Sequence, residues 1–435
     1  MIKSRHWGAL AVLTAGATAI GWVAAQTASA PKAAPAAAAA AFNPLPGMPP
    51  VPDLKNLYSE TAAGKFSPAV AGALERIYVP NRIAGSVSVI DPATLKVVST
   101  FRVGVNPQHV VPSYDLKTLW VANNAEGRPD GSMTPIDPKT GKPGPLVKVE
   151  DPYNVYWTPD GKSAIVVAEA FKRLDFRDAQ TMAMQYSIDV SECGGINHAD
   201  FSIDGRVAFF TCEYDGAISK IDLVNLKVLG MLKLSRYFDR PDALALIATS
   251  GAKPRQFKKV PDPAQPGGEI CVTPGMPQDV RASPDGRFLY VADMMADGVH
   301  VVDSESFRQV GFIPTGVGAH GLYPSRDGKQ LYVANRGSNK VLDKRGGKGS
   351  VSVIDFATMK VTTTWPVPGG GSPDMGNVSA DGRHLWLSGR FDDVVYRFDT
   401  GTGQVDKIAV GREPHGLTVW PQPGRYSLGH TGNLR

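Results

Sequence analysis

Short segments of alternating apolar and polar residues run through most of this chain, separated by turns rich in glycine and aspartate. The alternation resumes after each turn, as in "SPDGRFLYVADM" and "SRDGKQLYVANR". Alternation with a period of two predicts β-strands that bury one face, and Asp-Gly turns connect such strands. The pattern therefore predicts an all-β protein made of many short strands.

The turns recur along the chain, and their aspartates are Asp115, Asp160, Asp204, Asp285, Asp327 and Asp381. Adjacent turns lie roughly 45 residues apart, except that a longer interval after Asp204 indicates an insert. A second repeated segment, "GSVSVID", begins at Gly85 and again at Gly349. Four short strands in a unit of this length are typical of one blade of a β-propeller.

Counting these units predicts seven blades. The first unit, "RIYVPN", has no innermost strand, and the last strand, "EPHGLTVWP" at residues 413–421, has no successor. We therefore expect the C-terminal strand to pair into blade 1 and close a seven-bladed β-propeller. Closure removes exposed sheet edges, so we expect a monomer. The alternative is an open stack of sheets, which would leave two incomplete ends.

The "YVAN/YVPN…SVSVID" units resemble the YVTN-repeat propellers of the YncE-like type across residues 76–421. More distantly, they are similar to the haem-binding propeller of the cytochrome-type nitrite reductases. These resemblances imply the propeller fold, and the second implies a pocket in which histidine is the axial ligand of a haem. They say little about activity, because one fold hosts many functions.

The N-terminus predicts export. Lys3 and Arg5 precede an apolar stretch and small residues that suit signal peptidase. We predict a signal peptide at residues 1–25, an Ala/Pro-rich linker and N-terminal extension at 26–74, the propeller at 75–421 and a tail at 422–435. The protein would be periplasmic or secreted and free of the membrane after cleavage. The alternative is an uncleaved membrane anchor, although the apolar stretch is short for a bilayer.

The charge of the mature chain is mild. Removing Lys3 and Arg5 lowers the formal net charge from +5 to +3. No pattern of interleaved basic and aromatic residues accompanies it, so the sequence argues against a nucleic-acid partner.

Several histidines stand where inner strands should begin, at one mouth of the propeller channel. His109 and His198 precede their turns by the same interval as Asp279 and Met375, while His320 and His415 fall one position earlier. Adjacent residues on a strand face opposite sides, so the histidines converge only if a bulge shifts the register.

The first interpretation of these positions is a cofactor site on the channel axis. We predict a cofactor bound by His109, His198, His320 and His415, or a metal bound by His109, His198, Asp279 and Met375. Imidazole with thioether suits copper, so copper or haem is expected. The alternative is structural, with the imidazoles closing loops on backbone groups. His430 lies in the tail, which we expect to run over the surface without a function.

The three cysteines cluster near the same mouth. Export favours a disulfide, and proximity in a hairpin favours Cys193–Cys212. The alternatives are a Cys193–Cys271 bridge or a thiolate metal site that includes His198. Any single bridge leaves one cysteine unpaired.

Loops with basic residues are also expected at this rim, in blades 3, 4 and 6. Their residues are Lys172, Arg173, Arg177, Arg255, Lys258, Lys259, Lys344, Arg345 and Lys348. A positive collar would suit a small anionic ligand or a protein partner. The alternative is ordinary solvated loop charge.

Enzyme signatures are scarce. The sequence has no G-x-S-x-G, H-E-x-x-H or phosphate-loop motif. We therefore predict an exported binding or interaction protein and leave enzymatic activity open. The alternative is a propeller hydrolase of the lactonase type, in which Asn123, Asp293 and Asn335 would hold calcium.

Overall fold

A computed structural model describes residues 42–341, 347–430 and 432–435. The predicted signal peptide and the first part of the linker lie outside the described residues. Seven antiparallel sheets of at least four strands follow one another around the described chain, besides a small two-stranded sheet. The seven-bladed β-propeller predicted from the repeats is therefore confirmed.

Each blade runs from an inner strand at the channel, through a second and a third strand, to an outer strand. In that order, blade 1 consists of Thr418–Trp420, Arg76–Asn81, Ser86–Asp91 and Lys96–Arg102. Blade 2 consists of Pro107–Pro112, Leu119–Asn123, Ser132–Asp137 and an outer strand divided into Lys142–Pro143 and Val147–Lys148. Blade 3 consists of Pro152–Trp157, Ser163–Ala168, Arg173–Asp178 and Met184–Asp189, and blade 4 consists of Ile196–Phe201, Val207–Cys212, Ala217–Asp222 and Lys227–Lys233. The series continues, in blade 5, with Pro277–Ala282, Phe288–Asp293, Gly298–Asp303 and Arg308–Pro314; in blade 6, with Ala319–Pro324, Gln330–Asn335, Ser350–Asp355 and Lys360–Pro366; in blade 7, with Pro373–Val378, His384–Gly389, Val394–Asp399 and Val405–Ala409.

In blades 3 to 7 the repeated Asp-Gly turn joins the inner strand to the second strand for a physical reason. In blade 5 the hydroxyl of Ser283 donates to Asp285 at 2.5 Å, and the same carboxylate accepts the backbone N–H of Arg287. Gly286 has a φ of +71°, which glycine adopts without a clash from Cβ. The turn thus requires the Ser-x-Asp-Gly residues that recur in the sequence.

Side chains on one inner strand also bind the backbone of the next. Carboxylates and an amide accept backbone N–H groups across the blade boundary, in the pairs Ala282 to Asp200, Leu322 to Asp279 and Val419 to Asn377. The distances are 2.8–3.0 Å. These bonds satisfy buried polar groups around the channel and join blade 4 to blade 5, blade 5 to blade 6 and blade 7 to blade 1.

The ring closes as the sequence predicts. Thr418–Trp420 pairs antiparallel with Arg76–Asn81, so that Val419 lies opposite Ile77. The C-terminal strand therefore completes blade 1 with residues from the other end of the chain.

The tail does not run over the surface, and that expectation is wrong. The strand Ser427–Gly429 pairs with the inner strand of blade 3. The strand Asn433–Leu434 pairs with the other edge of Ser427–Gly429, on the channel side. At the C-terminus, Arg435 forms an ion pair of 2.7 Å with the buried carboxylate of Asp200. The tail therefore fills part of the channel. Its path depends on contacts with the inner strands and not on a repeat pattern.

Three further segments lie outside the repeats. The insert after blade 4 contains the helix Pro241–Thr249 and a hairpin of Lys259–Pro261 and Glu269–Cys271. The described part of the N-terminal extension packs against the propeller, where the hydroxyl of Tyr58 donates to Ala282 O at 2.6 Å. Short 3-10 helices occur at Ser59–Thr61, Pro68–Val70 and Ala125–Gly127. In the described part of the chain, no helix has the length and apolarity to cross a membrane.

Cys193 and Cys212 form a disulfide, with their Cα atoms 4.9 Å apart. The predicted pairing is confirmed, and Cys271 is the free cysteine. The alternative Cys193–Cys271 bridge and the thiolate metal site are therefore wrong, because the sulfurs of Cys193 and Cys212 are bonded to each other.

Candidate functional site

β-Bulges at the start of the inner strands direct the histidines into the channel. The strand register shifts between Pro107 and His109 in blade 2, and it shifts at the equivalent place in blades 3 to 7. A bulge places two residues opposite one on the partner strand and changes the direction of their side chains. Residues of both sequence columns can therefore reach the channel, which strict alternation would not allow.

Three imidazoles converge inside the channel. The ring centroids of His109 and His198 are 5.4 Å apart, and His430 lies 4.0 Å from His109 and 4.9 Å from His198. One nitrogen from each ring lies within 4.8 Å of the others, and all three residues are completely buried. His109 and His198 were predicted to lie here, whereas His430 was not.

The environment of the three rings keeps them neutral. Burial lowers the pKa of His109 to about 3, with Asp374 opposing that shift. Burial also places the pKa of His198 and His430 well below the usual histidine value. Neutral imidazole is the form that binds metal ions.

Nitrogen atoms of the group remain open to a ligand. Within the described residues, neither ring nitrogen of His109 makes a hydrogen bond, and the same holds for Nε2 of His198. The other nitrogen of His198 lies 3.3 Å from the amide of Asn154 and 3.4 Å from the hydroxyl of Tyr156. Polar groups therefore orient the ring of His198, while both nitrogens of His109 and Nε2 of His198 make no hydrogen bond within the described residues.

His415 and His320 continue the row of imidazoles towards blade 7. The ring of His415 lies 4.7 Å from that of His109 and 6.5 Å from that of His320. Nδ1 of His320 is 2.9 Å from the carboxylate of Asp374. Burial opposes ionisation of Asp374, but His320 and Arg336 outweigh it and hold its pKa well below the usual value.

The other two predicted metal ligands have different surroundings. Asp279 accepts the backbone N–H groups of Val280 and Leu322, each at 2.9 Å, and is not part of the group of three imidazoles. The sulfur of Met375 accepts the hydroxyl of Tyr323 at 3.5 Å. A role for either residue in binding a metal stays a prediction.

A pocket of about 900 Å³ opens at the channel mouth beside these histidines. Gln108, Tyr153 and His320 line it, and the ring of Tyr153 contacts those of His109 and His198. Arginines and carboxylates line the remaining wall. The size is that of a pocket for a small molecule or a cofactor.

The predicted basic collar is only partly present. Arg255 and Lys172 line the pocket, but Arg173 and Arg177 pair with Asp175 on the third strand of blade 3. The segment predicted as an insert in blade 3 is therefore that strand. Of the other predicted residues, Lys344 and Arg345 lie outside the described residues.

The residues suggested for calcium are engaged within their own blades. Asn123 donates to Thr134, and Asn335 donates to Ser352, each at 3.0 Å. Asp293 accepts the N–H groups of Met276 and Met295 and lies 3.2 Å from His300. The two asparagines make these contacts through Nδ2, and a role in binding calcium stays a prediction.

The fold and the site together define a seven-bladed β-propeller with a histidine cluster buried in its channel. A family model described as YncE-like β-propeller matches residues 269–423, and one described as lactonase, 7-bladed β-propeller, matches residues 150–342. The resemblance to YncE-like propellers predicted from the repeats is thus confirmed. A comparison with curated proteins finds no match.

Solved structures show the same architecture at low sequence identity. A Bacteroides uniformis protein provisionally named a 6-phosphogluconolactonase is 15% identical, with a TM-score of 0.57, covering 79% of this chain and 98% of its own. The dihydro-haem d1 dehydrogenase NirN, solved in complex with DHE, is 12% identical, with a TM-score of 0.52 and coverages of 82% and 77%. A Desulfotomaculum acetoxidans protein of unknown function is 13% identical, with a TM-score of 0.54 and coverages of 79% and 98%. These similarities show the fold.

Proposed function

We propose that this chain is an exported binding protein that holds a transition-metal ion between His109, His198 and His430. The observation that supports the proposal is the convergence of three buried nitrogen ligands within 4.8 Å of one another. Buried polar groups are normally hydrogen-bonded, so nitrogens of His109 with no such partner favour a ligand at this position.

The donor set limits the metal. Three neutral imidazoles suit copper, zinc, iron or nickel, and they suit calcium or magnesium poorly. Metal–nitrogen bonds of about 2.0–2.1 Å would require nitrogens that are as much as 4.8 Å apart to move closer together. Copper is our first choice, because nitrogen ligands bind Cu²⁺ more tightly than the other divalent first-row metals.

All three histidines are completely buried. His430 belongs to the tail, while the other two belong to inner strands of blades 2 and 4. We therefore expect the metal to bind before the tail packs into the channel, or when the tail leaves it.

The test is metal analysis of protein purified from the periplasm without chelator, together with its visible spectrum. We expect about one equivalent of copper or another transition metal, and its loss in His109→Ala, His198→Ala and His430→Ala. His384→Ala is the matched control, because this histidine lies on the second strand of blade 7 and should leave the metal in place.

Protein that is folded, metal-free and unable to take up copper or zinc would overturn the proposal. A haem spectrum that persists in His430→Ala would also overturn it and favour the haem expected from the second resemblance. Thermal unfolding of each variant shows whether the loss of metal is due to unfolding.

The second candidate is a hydrolase of the lactonase type, favoured by the family match at residues 150–342. Hydrolysis of 6-phosphogluconolactone that requires calcium would support it. No hydrolysis above the spontaneous rate would exclude this substrate.

A further inference from the structure

The channel mouth carries one residue from the same repeat position in every blade, directly after the second strand. In six blades this residue lines the pocket of about 900 Å³. In ring order from blade 1, the six residues are Arg82, Asn124, Glu169, Glu213, Arg336 and Arg390. Blade 5 contributes Met294, whose sulfur accepts an N–H of Arg336 at 3.3 Å. We call these positions the mouth ring.

Charge is sorted around the mouth ring. The three arginines belong to blades 6, 7 and 1, which are adjacent, and the two glutamates belong to the adjacent blades 3 and 4. Because the channel separates these two groups of blades, the pocket has a cationic wall and an acidic wall. A ligand that spans the pocket would meet both.

The cationic wall has hydrogen-bonding capacity that the protein does not use. Arg336 and Arg390 are more than nine-tenths buried, and within the described residues the Nε atom of each makes no hydrogen bond. The single carboxylate of Asp374 lies 3.7 Å and 3.8 Å from their nearest nitrogens. Asp374 lies beyond hydrogen-bond distance of both guanidinium groups and Glu213 acts on them from further away, so the pair keeps N–H donors for a further anion.

Arg82 contributes less to this wall. It donates to Glu126 at 2.6 Å and lies 3.6 Å from Glu413, so its charge is already balanced. Arg336 and Arg390 are therefore the residues that would bind an anionic group.

The acidic wall suits a cation. Glu213 accepts the amide of Asn197 at 3.2 Å, and Glu169 faces it across the boundary between blades 3 and 4. Burial and then the charge of Glu213 raise the pKa of Glu169 to about 8, although Arg255, which also lines the pocket, opposes this rise. An ammonium group bound between them would relieve the repulsion between the two carboxylates.

We propose that the mouth ring binds a small zwitterion, with a carboxylate on Arg336 and Arg390 and an ammonium group between Glu169 and Glu213. This site is separate from the histidine cluster and does not depend on the metal proposed there. A pocket of this volume accommodates an amino-acid-like or short peptide-like molecule.

The test is calorimetric titration with amino carboxylates of increasing length, from glycine through 4-aminobutanoate and 6-aminohexanoate to 8-aminooctanoate. Hexanoate and hexylamine are the comparison ligands, because each has only one of the two charges. We expect affinity to peak at one chain length and to exceed that of both comparison ligands by about tenfold or more. The proposal is overturned if no amino carboxylate binds more tightly than both of them.

Variants of the mouth ring identify which wall binds which charge. Arg390→Gln should weaken the best amino carboxylate about tenfold and leave hexylamine unaffected, and Glu169→Gln should weaken hexylamine but not hexanoate. Arg390→Lys keeps the charge and checks folding. Arg397→Gln is the matched control, because Arg397 pairs with Asp406 outside the pocket.

Equal affinities in Arg390→Gln, Glu169→Gln and the control would contradict the proposal even if an amino carboxylate binds. Metal content tests the metal proposal and amino-carboxylate affinity tests this one, so failure of one and failure of the other give different results.

Discussion

Burial raises the pKa of acids in the channel and lowers the pKa of bases, and in both cases it favours the neutral form. It lowers the pKa of His109 to about 3 and of His320 to about 4, and with neighbouring carboxylates it raises that of Glu169 to about 8. The cause is the cost of placing a charge away from water. Asp374 stays ionised because two arginines and two histidines surround it.

This shift in Glu169 predicts a pH dependence of stability. Burial, Glu213 and Asp151 raise its pKa, and Tyr214 and Arg255 oppose them. The folded chain therefore binds more protons than the unfolded chain between about pH 5 and 8, and the free energy of unfolding should fall as pH rises through this range. Chemical denaturation at pH 5.5, 7 and 8.5 should show a smaller fall in Glu169→Gln than in the wild type.

The control is Glu305→Gln, which changes an exposed carboxyl far from the mouth ring and should keep the wild-type pH dependence. If Glu169→Gln and wild type lose stability equally over this range, Glu169 does not hold the excess proton.

Among the elements, the tail contributes most beyond the repeats. Its two short strands extend the sheet of blade 3 across the channel, and it brings His430 beside the imidazoles of blades 2 and 4. Asn433 and Arg435 both bind the carboxylate of Asp200. The tail is therefore part of the core and of the candidate metal site.

Replacement of Arg435 by methionine should destabilise the protein. It leaves the carboxylate of Asp200 without its ion-pair partner, and breaking a buried pair in this way costs about 3–5 kcal/mol. The free energy of unfolding from chemical denaturation should fall by about 3 kcal/mol.

Arg412→Met removes an exposed arginine and serves as the control, with a change within about 0.5 kcal/mol. The double variant Asp200→Asn/Arg435→Met should lose less than the sum of the single variants, because it leaves no unpaired charge. Purely additive effects would show that the pair does not interact.

For the whole molecule, ring closure joins segments far apart in the chain, whereas the disulfide links two neighbouring strands of blade 4. The closing strand pairs residue 419 with residue 77, and Cys193–Cys212 fixes the ends of the first two strands of blade 4. A disulfide persists in an oxidising compartment, which agrees with the predicted export.

Export therefore predicts the state of the thiols. Protein from the periplasm, denatured and alkylated without reductant, should be labelled once, at Cys271, and three times after reduction. Mass spectrometry of the intact protein measures both. Three labels without reductant would contradict the predicted disulfide and weaken the case for export, and cell fractionation tests the location directly.

The sequence by itself determined the features that local chemistry and repetition encode. Alternating residues, Ser-x-Asp-Gly turns and the complementary incomplete repeats at both ends predicted seven blades and their closure. The positions of His109 and His198 followed from the same repeats, and export together with proximity in a hairpin favoured the Cys193–Cys212 pairing. The residues of the mouth ring can also be found in the sequence, as the one residue after each second strand. That the arginines and the glutamates lie on opposite sides of the channel is visible only when the blades form a circle.

Only the tertiary structure decided which side chains meet across the channel. Bulges in the inner strands brought both histidine columns into the channel, and no local pattern marks such a change of register. The tail has no repeated counterpart, so nothing in its own residues predicts that Asp200 and the inner strand of blade 3 bind it. His430 therefore joined the site through long-range packing, whose energy comes from residues more than 200 positions away.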